Sequence, residues 1–184
     1  MYNHSRNPQV QYSLEQLAKS LFYYIQRKSF DRITVTEICS RAGITRRTFY
    51  RNLDGKEDLI IFSTDYLVKS LLANVDFNCT DPLTLYNGFF SYWYEHRRYL
   101  SSLYNNGLFD LFSSEFLDIC NEHLRYPLQE KSIEGTSNVE SRRIYSNAFV
   151  IGGFAQMLKQ WTSEGFSVSV EDVTESILFL SPKA

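Results

Sequence analysis

Apolar residues recur along this chain at the three- and four-residue intervals of helices rather than at the alternate positions of strands. Leu14, Leu17, Ala18, Leu21, Phe22 and Ile25 share one face of a first helix, which the pattern runs from Ser13, spaced with Gln16 as a capping box, to about Lys28. A second such box, Thr34 with Glu37, opens a helix that carries Val35, Ile38, Cys39 and Ala42 on one side. Gly43 ends it, since glycine accepts the left-handed conformation that helix C-termini favour. Thr45 then caps a third short helix, Arg46 to Asn52, whose large apolar side chains, Phe49 and Tyr50, are adjacent and cannot both face one core. After Leu53, Asp54 and Gly55 a fourth helix opens at Lys56 and continues to about Val75, with Glu57 and Asp58 beside its positive dipole end.

The remaining pattern predicts helices near Pro82 to Glu95, Arg97 to Asn105, Leu108 to Tyr126, Glu140 to Glu164 and Val170 to Leu180. Gly107, Gly135 and Gly165 fall at the breaks, and Pro82 sits where a first-turn proline is tolerated. No strand alternation, repeat or low-complexity tract interrupts the series. The expected fold is all-α.

Composition narrows the chemistry. The chain has 184 residues, 43% of them hydrophobic, enough to fill a core without disulfides or metal. Cys39, Cys79 and Cys120 are odd in number and scattered, which suits reduced thiols of a cytoplasmic protein. The opening residues lack a basic stretch followed by an apolar run, so a secretory leader is not expected. No uncharged apolar run is long enough for a bilayer span, so no membrane partner is expected either; the nearest, Asn147 to Leu158, is short and interrupted by Gly152 and Gly153. The net charge of −2 conceals an asymmetry. Residues 1–60 hold ten Lys/Arg against six Asp/Glu, whereas residues 61–184 hold nine against fifteen. The first segment therefore suits a polyanion better than the second, although a solvated surface could carry the same imbalance.

Two short helices joined through a glycine turn, the second carrying exposed Arg, Thr and Tyr, are the parts of a helix-turn-helix. Val35, Ile38, Cys39, Ile44 and Phe49 can pack the pair against the first helix, leaving the opposite face of Arg46 to Asn52 free for a major groove. Arg46 or Arg47 has the forked geometry that pairs with guanine O6 and N7, and Thr48 can meet a base edge or a thymine methyl. Tyr50, Thr34, Thr36 and Lys56 are candidates for the phosphate contacts that fix register.

The run ITVTEICSRAGITRRTFYRNLDGKEDLI resembles the TetR/AcrR family signature, over about Tyr12 to Leu67. The resemblance implies that Gly43 is the turn glycine, Ile44 the buried residue after it and Thr45 the cap. It implies phosphate-binding roles for Tyr50 and Lys56, and sequence-selecting roles for Arg46, Arg47, Thr48 and Arg51. The chain departs from the commonest pattern with Asn52 for an aromatic or His, Leu53 for Phe and Gly55 for Ser; Asn52 is expected to bond phosphate in its turn. The organisation implied is a helix-turn-helix domain over 1–55 and a helical regulatory and dimerisation domain over 56–184.

In the second domain the resemblance implies a dimer surface of two helices, with Gly152, Gly153 and Gln156 on one and Ile177 and Leu180 on the other. A twofold dimer on a roughly palindromic double-stranded operator, acting as a repressor, is the expected mode of action. The aromatic middle helices (Tyr86, Phe89, Phe90, Tyr92, Trp93 and Tyr94, then Tyr99, Tyr104, Phe109, Phe112 and Phe116) either wall a pocket for a flat or apolar effector or simply fill a core. A protein partner in place of a small effector, or activation in place of repression, is the alternative. An enzyme is not expected. His4, His96 and His123 lack partners at metal-site spacing, Cys120 and His123 lack further ligands, and no nucleophile or phosphate-loop motif occurs; no cofactor is implied.

Overall fold

The computed structural model describes residues 7–123 and 139–178, and among these it is entirely helical. The helices are α1 (Pro8–Ile25), α2 (Val35–Ala42), α3 (Arg46–Asn52), α4 (Glu57–Asn74), α5 (Pro82–Glu95), α6 (Arg97–Asn105), α7 (Phe109–His123), α8 (Val139–Ser163) and α9 (Val170–Leu178). A 3-10 turn at Phe30–Arg32, which the periodicity does not signal, joins α1 to α2. Leu180, Gly135 and the stretch as far as Tyr126 lie outside the described residues.

The ends follow local chemistry, with one departure. α1 starts at Pro8 and not at Ser13, because the Asn7 side chain accepts from the Gln9 amide at 2.9 Å and proline takes the first position, where no amide is needed. Ser13 is inside the helix, its hydroxyl donating to the Gln9 carbonyl at 2.8 Å. α2 has the expected reciprocal box: Thr34 Oγ1 accepts from the Glu37 amide at 3.2 Å, and Glu37 accepts from the Thr34 amide at 2.9 Å. Gly43 closes it at φ 67°.

Glu37 is also paired with Lys28 Nζ at 2.7 Å. Hydrogen bonds from Lys28, and then from the amide and hydroxyl of Thr34, hold its carboxyl down at about 2 against an ordinary value of 4.5. A folded-state value below the unfolded one means a contribution fully present above pH 4.5 and lost as pH falls toward 2. Glu37→Gln is therefore expected to melt below the parent at pH 6, the gap closing on acidification toward pH 2. Thermal melts across that range check this, and a gap independent of pH would remove the cap from the account.

α1 packs on α2, and α2 on α3, with Phe49 fully buried between them and Ile38, Cys39 and Leu53 alongside. α4 packs against both α1 and α7, so it belongs to the hydrophobic core of both ends of the chain. Beyond it α5 packs against α9, and α8 against α6 and α7. Two buried hydroxyl bridges tie α4 to this bundle: Tyr99 Oη lies 2.8 Å from the Thr64 hydroxyl, and Tyr92 Oη donates to the Leu67 carbonyl at 2.7 Å.

The aromatic middle helices fill a core. Trp93 meets Phe112 edge-on at 5.2 Å, Phe112 stacks on Phe116 at 5.9 Å, and Phe89 and Phe90 face Phe154 and Trp161 from α8. Between these rings a cavity of about 20 Å³ remains, room for about one water. The Cys120 thiol at its wall is pushed up to about 12 by burial, which leaves it protonated and unreactive. Trp161 also packs on Phe166, whose φ of 59° is unusual for a non-glycine residue and directly follows Gly165 at φ 66°. Its ring, 4.9 Å from Trp161, is held by packing that offsets the strain.

Candidate nucleic-acid interface

Position along α3 divides its side chains cleanly. Phe49 points inward and Tyr50, next to it, is 52% exposed, as their adjacency requires. Arg46, Arg47 and Arg51 are exposed with Tyr50, so the outer face of this two-turn helix offers three guanidinium groups and a phenol without a carboxylate on the helix. The Arg46 guanidinium lies 5.9 Å from the Tyr50 ring centroid, which begins to order it across that face. Thr45 caps the helix by accepting from the Thr48 amide at 3.1 Å, and the two hydroxyls are 3.0 Å apart, so Thr48 is half-buried and partly satisfied within the protein.

Two of the sequence-derived residues face inward. Asn52 is 6% exposed, and its amide donates to the Thr48 carbonyl at 2.8 Å. It supports the last turn of α3 and does not offer its side chain to solvent. Lys56 spans the junction between helices: Nζ donates to the carbonyls of Phe30 at 2.6 Å and Ile33 at 3.0 Å, and sits 4.3 Å from the Phe30 ring centroid. An ammonium has three donors, so one remains for an outside acceptor while the other two fasten the 3-10 turn to the start of α4. Thr34 spends its hydroxyl proton on Glu37 at 2.9 Å, whereas Thr36, one position into α2, is exposed.

The same 3-10 turn has a second anchor that sequence reasoning did not find. Asn106, after α6, accepts from the Phe30 amide at 2.8 Å and donates to the Ser102 carbonyl at 2.9 Å. Its partner lies 76 residues away, and no local pattern carries such a signal.

At the other end of the chain, α8 presents an apolar strip to solvent. Phe149 is 84% and Tyr145 77% exposed, with Ile144, Gly153 and Gln156 exposed as well. Among the described residues a methyl group added to Gly152 or Gly153 would touch nothing within 4 Å, so neither glycine is required for packing against them. Ile177 is half-buried against the core rather than free on the surface. Tyr145 and Phe149 are one turn apart on the glycine side of α8, and from Ile144 to Gln156 the one exposed polar residue is Gln156. That scarcity of polar side chains was the available signal for these two residues.

Comparison with known proteins agrees with this architecture. Residues 17–61 match the sequence profile of bacterial regulatory proteins of the tetR family, and residues 81–182, more than half of the chain, match that of a transcriptional regulator C-terminal region. None of the curated proteins matches. Among solved structures, a TetR transcriptional regulator from Streptococcus agalactiae superposes with a TM-score of 0.61 at 21% identity, over 95% of this chain and 96% of that one. The dihydroxyacetone kinase operon activator DhaS (TM-score 0.57, 16% identity, 91% and 93% covered) has a similar fold. So has the fatty acid degradation regulator FadR from Bacillus halodurans (TM-score 0.57, 16% identity, 96% and 95% covered).

Proposed function

Since this chain belongs to the TetR family of bacterial transcriptional regulators, which are DNA-binding proteins and not enzymes, we propose that it grips a roughly palindromic operator as a twofold dimer, with α3 in the major groove. The observation that carries the reading is the outer face of α3, where Arg46, Arg47, Tyr50 and Arg51 are exposed beside a fully buried Phe49. Arg47 and its neighbours read base edges, while Tyr50, Thr36 and the third donor of Lys56 bind phosphate. Asn52 acts from within, by holding the helix end. The apolar strip of α8 pairs with its symmetry mate and sets the two recognition helices about 34 to 36 Å apart, one turn of duplex. Residues 1–55 then act as the reading unit and residues 56–184 as the part that sets its spacing, the two coupled through α4. Occupancy of a promoter by such a dimer excludes polymerase, which makes repression the default outcome.

A signal that relieves it can act only through different affinity for two spacings of the reading heads. The ring-filled interior favours a signal received at the surface, from a protein partner or a small molecule, over one enclosed among the α5 and α7 aromatics.

Selection from a random DNA pool, with mass by light scattering in the same buffer, tests the proposal. Enrichment of a near-palindrome by a dimer is expected; a well-folded dimer that enriches nothing would overturn it. On the selected site, Arg47→Ala is expected to cost about 1–3 kcal/mol and to relax discrimination at one base pair. Tyr50→Phe is expected to weaken all sequences alike while leaving the slope of log K against log salt near the parent's, because its phenol hydrogen-bonds phosphate without neutralising it. Both side chains are exposed, so melting temperatures stay near the parent's. Unchanged operator binding in both variants would dismiss α3 as the reading head.

A further inference from the structure

On the side of α6 that faces the end of α1, a groove of about 670 Å³ runs between the two helices to the turn at Gly165 and Phe166. Its lining contains Arg27, Lys28, Arg97 and Arg98, with the side chains of Ser101 and Asn105 between them, and no carboxylate. Lys28 is already neutralised by Glu37 at 2.7 Å. The three arginines have no ion-pair partner among the described residues.

Two of them are held ready. The Arg27 guanidinium lies 3.6 Å from the Tyr23 ring centroid and donates to the Tyr23 carbonyl at 2.6 Å. Arg97 lies 4.4 Å from the Tyr94 ring centroid and donates to the Tyr94 carbonyl at 2.9 Å. A guanidinium carries five donors, so each keeps most of its fork for another acceptor while stacking limits its freedom. Arg98, next to Arg97 in the chain, is exposed in the same lining, and its side chain has no ion-pair partner among the described residues. Several uncompensated cations around a concave polar surface focus a positive potential there. Fixed forks with nearby hydroxyl and amide donors match the tetrahedral oxygens of phosphate.

We propose that this groove is a binding site for a small phosphate-bearing anion, which bridges Arg27 of α1 to Arg97 and Arg98 of α6. Its size, about 670 Å³, suits a small molecule, and its lining shares no residue with the outer face of α3. Asn106, which ties α6 to the 3-10 turn before α2, belongs to the same lining. An anion there clamps α1 to α6 at the point where the reading unit meets the bundle. This regulatory consequence rests on the operator reading above; the binding itself does not.

Titration calorimetry of the full chain with pyrophosphate and with inorganic phosphate, without DNA, tests the site. Saturable binding of one pyrophosphate per chain is expected, weakened about tenfold or more in Arg98→Glu and in Arg97→Ala, charge-assisted bonds being the interactions lost. Both positions are exposed, and circular dichroism verifies that the variants keep the fold. Absence of saturable binding, or equal affinity in the variants, overturns the proposal. So does a reduced salt slope of operator binding in those variants, which would make the groove a contact for duplex phosphates instead. A chain that binds pyrophosphate in this manner but no operator would leave the site standing and remove the operator reading.

Discussion

In the dimer proposed above, Phe149→Glu is expected to leave a folded monomer and to lower operator affinity by about 10²- to 10⁴-fold, the gain that joining two half-site readers provides. The side chain is 84% exposed in the single chain, so the substitution takes nothing from the core of the subunit. In a twofold interface every residue is used twice. Removing one aromatic forfeits two burials, each worth about 1.5–3 kcal/mol, and the replacement brings two carboxylates into an apolar seam. Gly152 and Gly153 lie on the same strip with no described residue against them, which allows a partner helix to approach closely. Light scattering and operator titration on the same preparation give both readouts. A variant that remains a dimer would move the interface away from this strip, whatever happens to DNA binding.

The second large effect is expected at Phe49. Replacing it with alanine should cost about 3–5 kcal/mol, a substantial part of the roughly 5–15 kcal/mol by which a domain is stable. The ring is fully buried, and α3 is a short helix with Asn52 as its other buried member. Without Phe49 nothing apolar on α3 itself holds the helix to the bundle, and the arginines lose the platform that aims them. Tyr50→Ala, one residue along, should leave stability nearly unchanged because that ring is largely in solvent. Urea unfolding of the two variants makes the comparison. A cost below about 1 kcal/mol at Phe49 would mean that α3 does not rely on this contact.

The opposed fates of these neighbours could be foreseen from adjacency alone, and so could the caps at Thr34, Gly43 and Thr45, because each depends on interactions within a few residues. The start of α1 was less legible: Asn7 with Pro8 and Ser13 with Gln16 are both credible openings, and the choice falls to the longer helix. Lys56 and Asn106 illustrate a harder limit. Each satisfies backbone groups of a 3-10 turn that is remote in sequence, so their roles follow from tertiary placement. Asn52, expected to meet phosphate, instead satisfies the Thr48 carbonyl, since its position in the last turn of α3 points it under the helix. In α8 apolar residues occur all around the helix. Periodicity reports that such a helix has more than one contact face but does not say which face is covered within the chain.

Both tryptophans of this chain, Trp93 and Trp161, sit in the aromatic core of the C-terminal bundle, and the reading unit has none. Intrinsic emission excited at the indole band is therefore a one-sided reporter. It registers loosening among α5, α7 and α8 and is blind to the melting of α1 to α3, which far-ultraviolet ellipticity detects. If the two ends unfold together through α4, the optical transitions superimpose. If the head frays first, ellipticity falls while emission stays at its native wavelength, and the gap between the curves measures how firmly that one helix couples them.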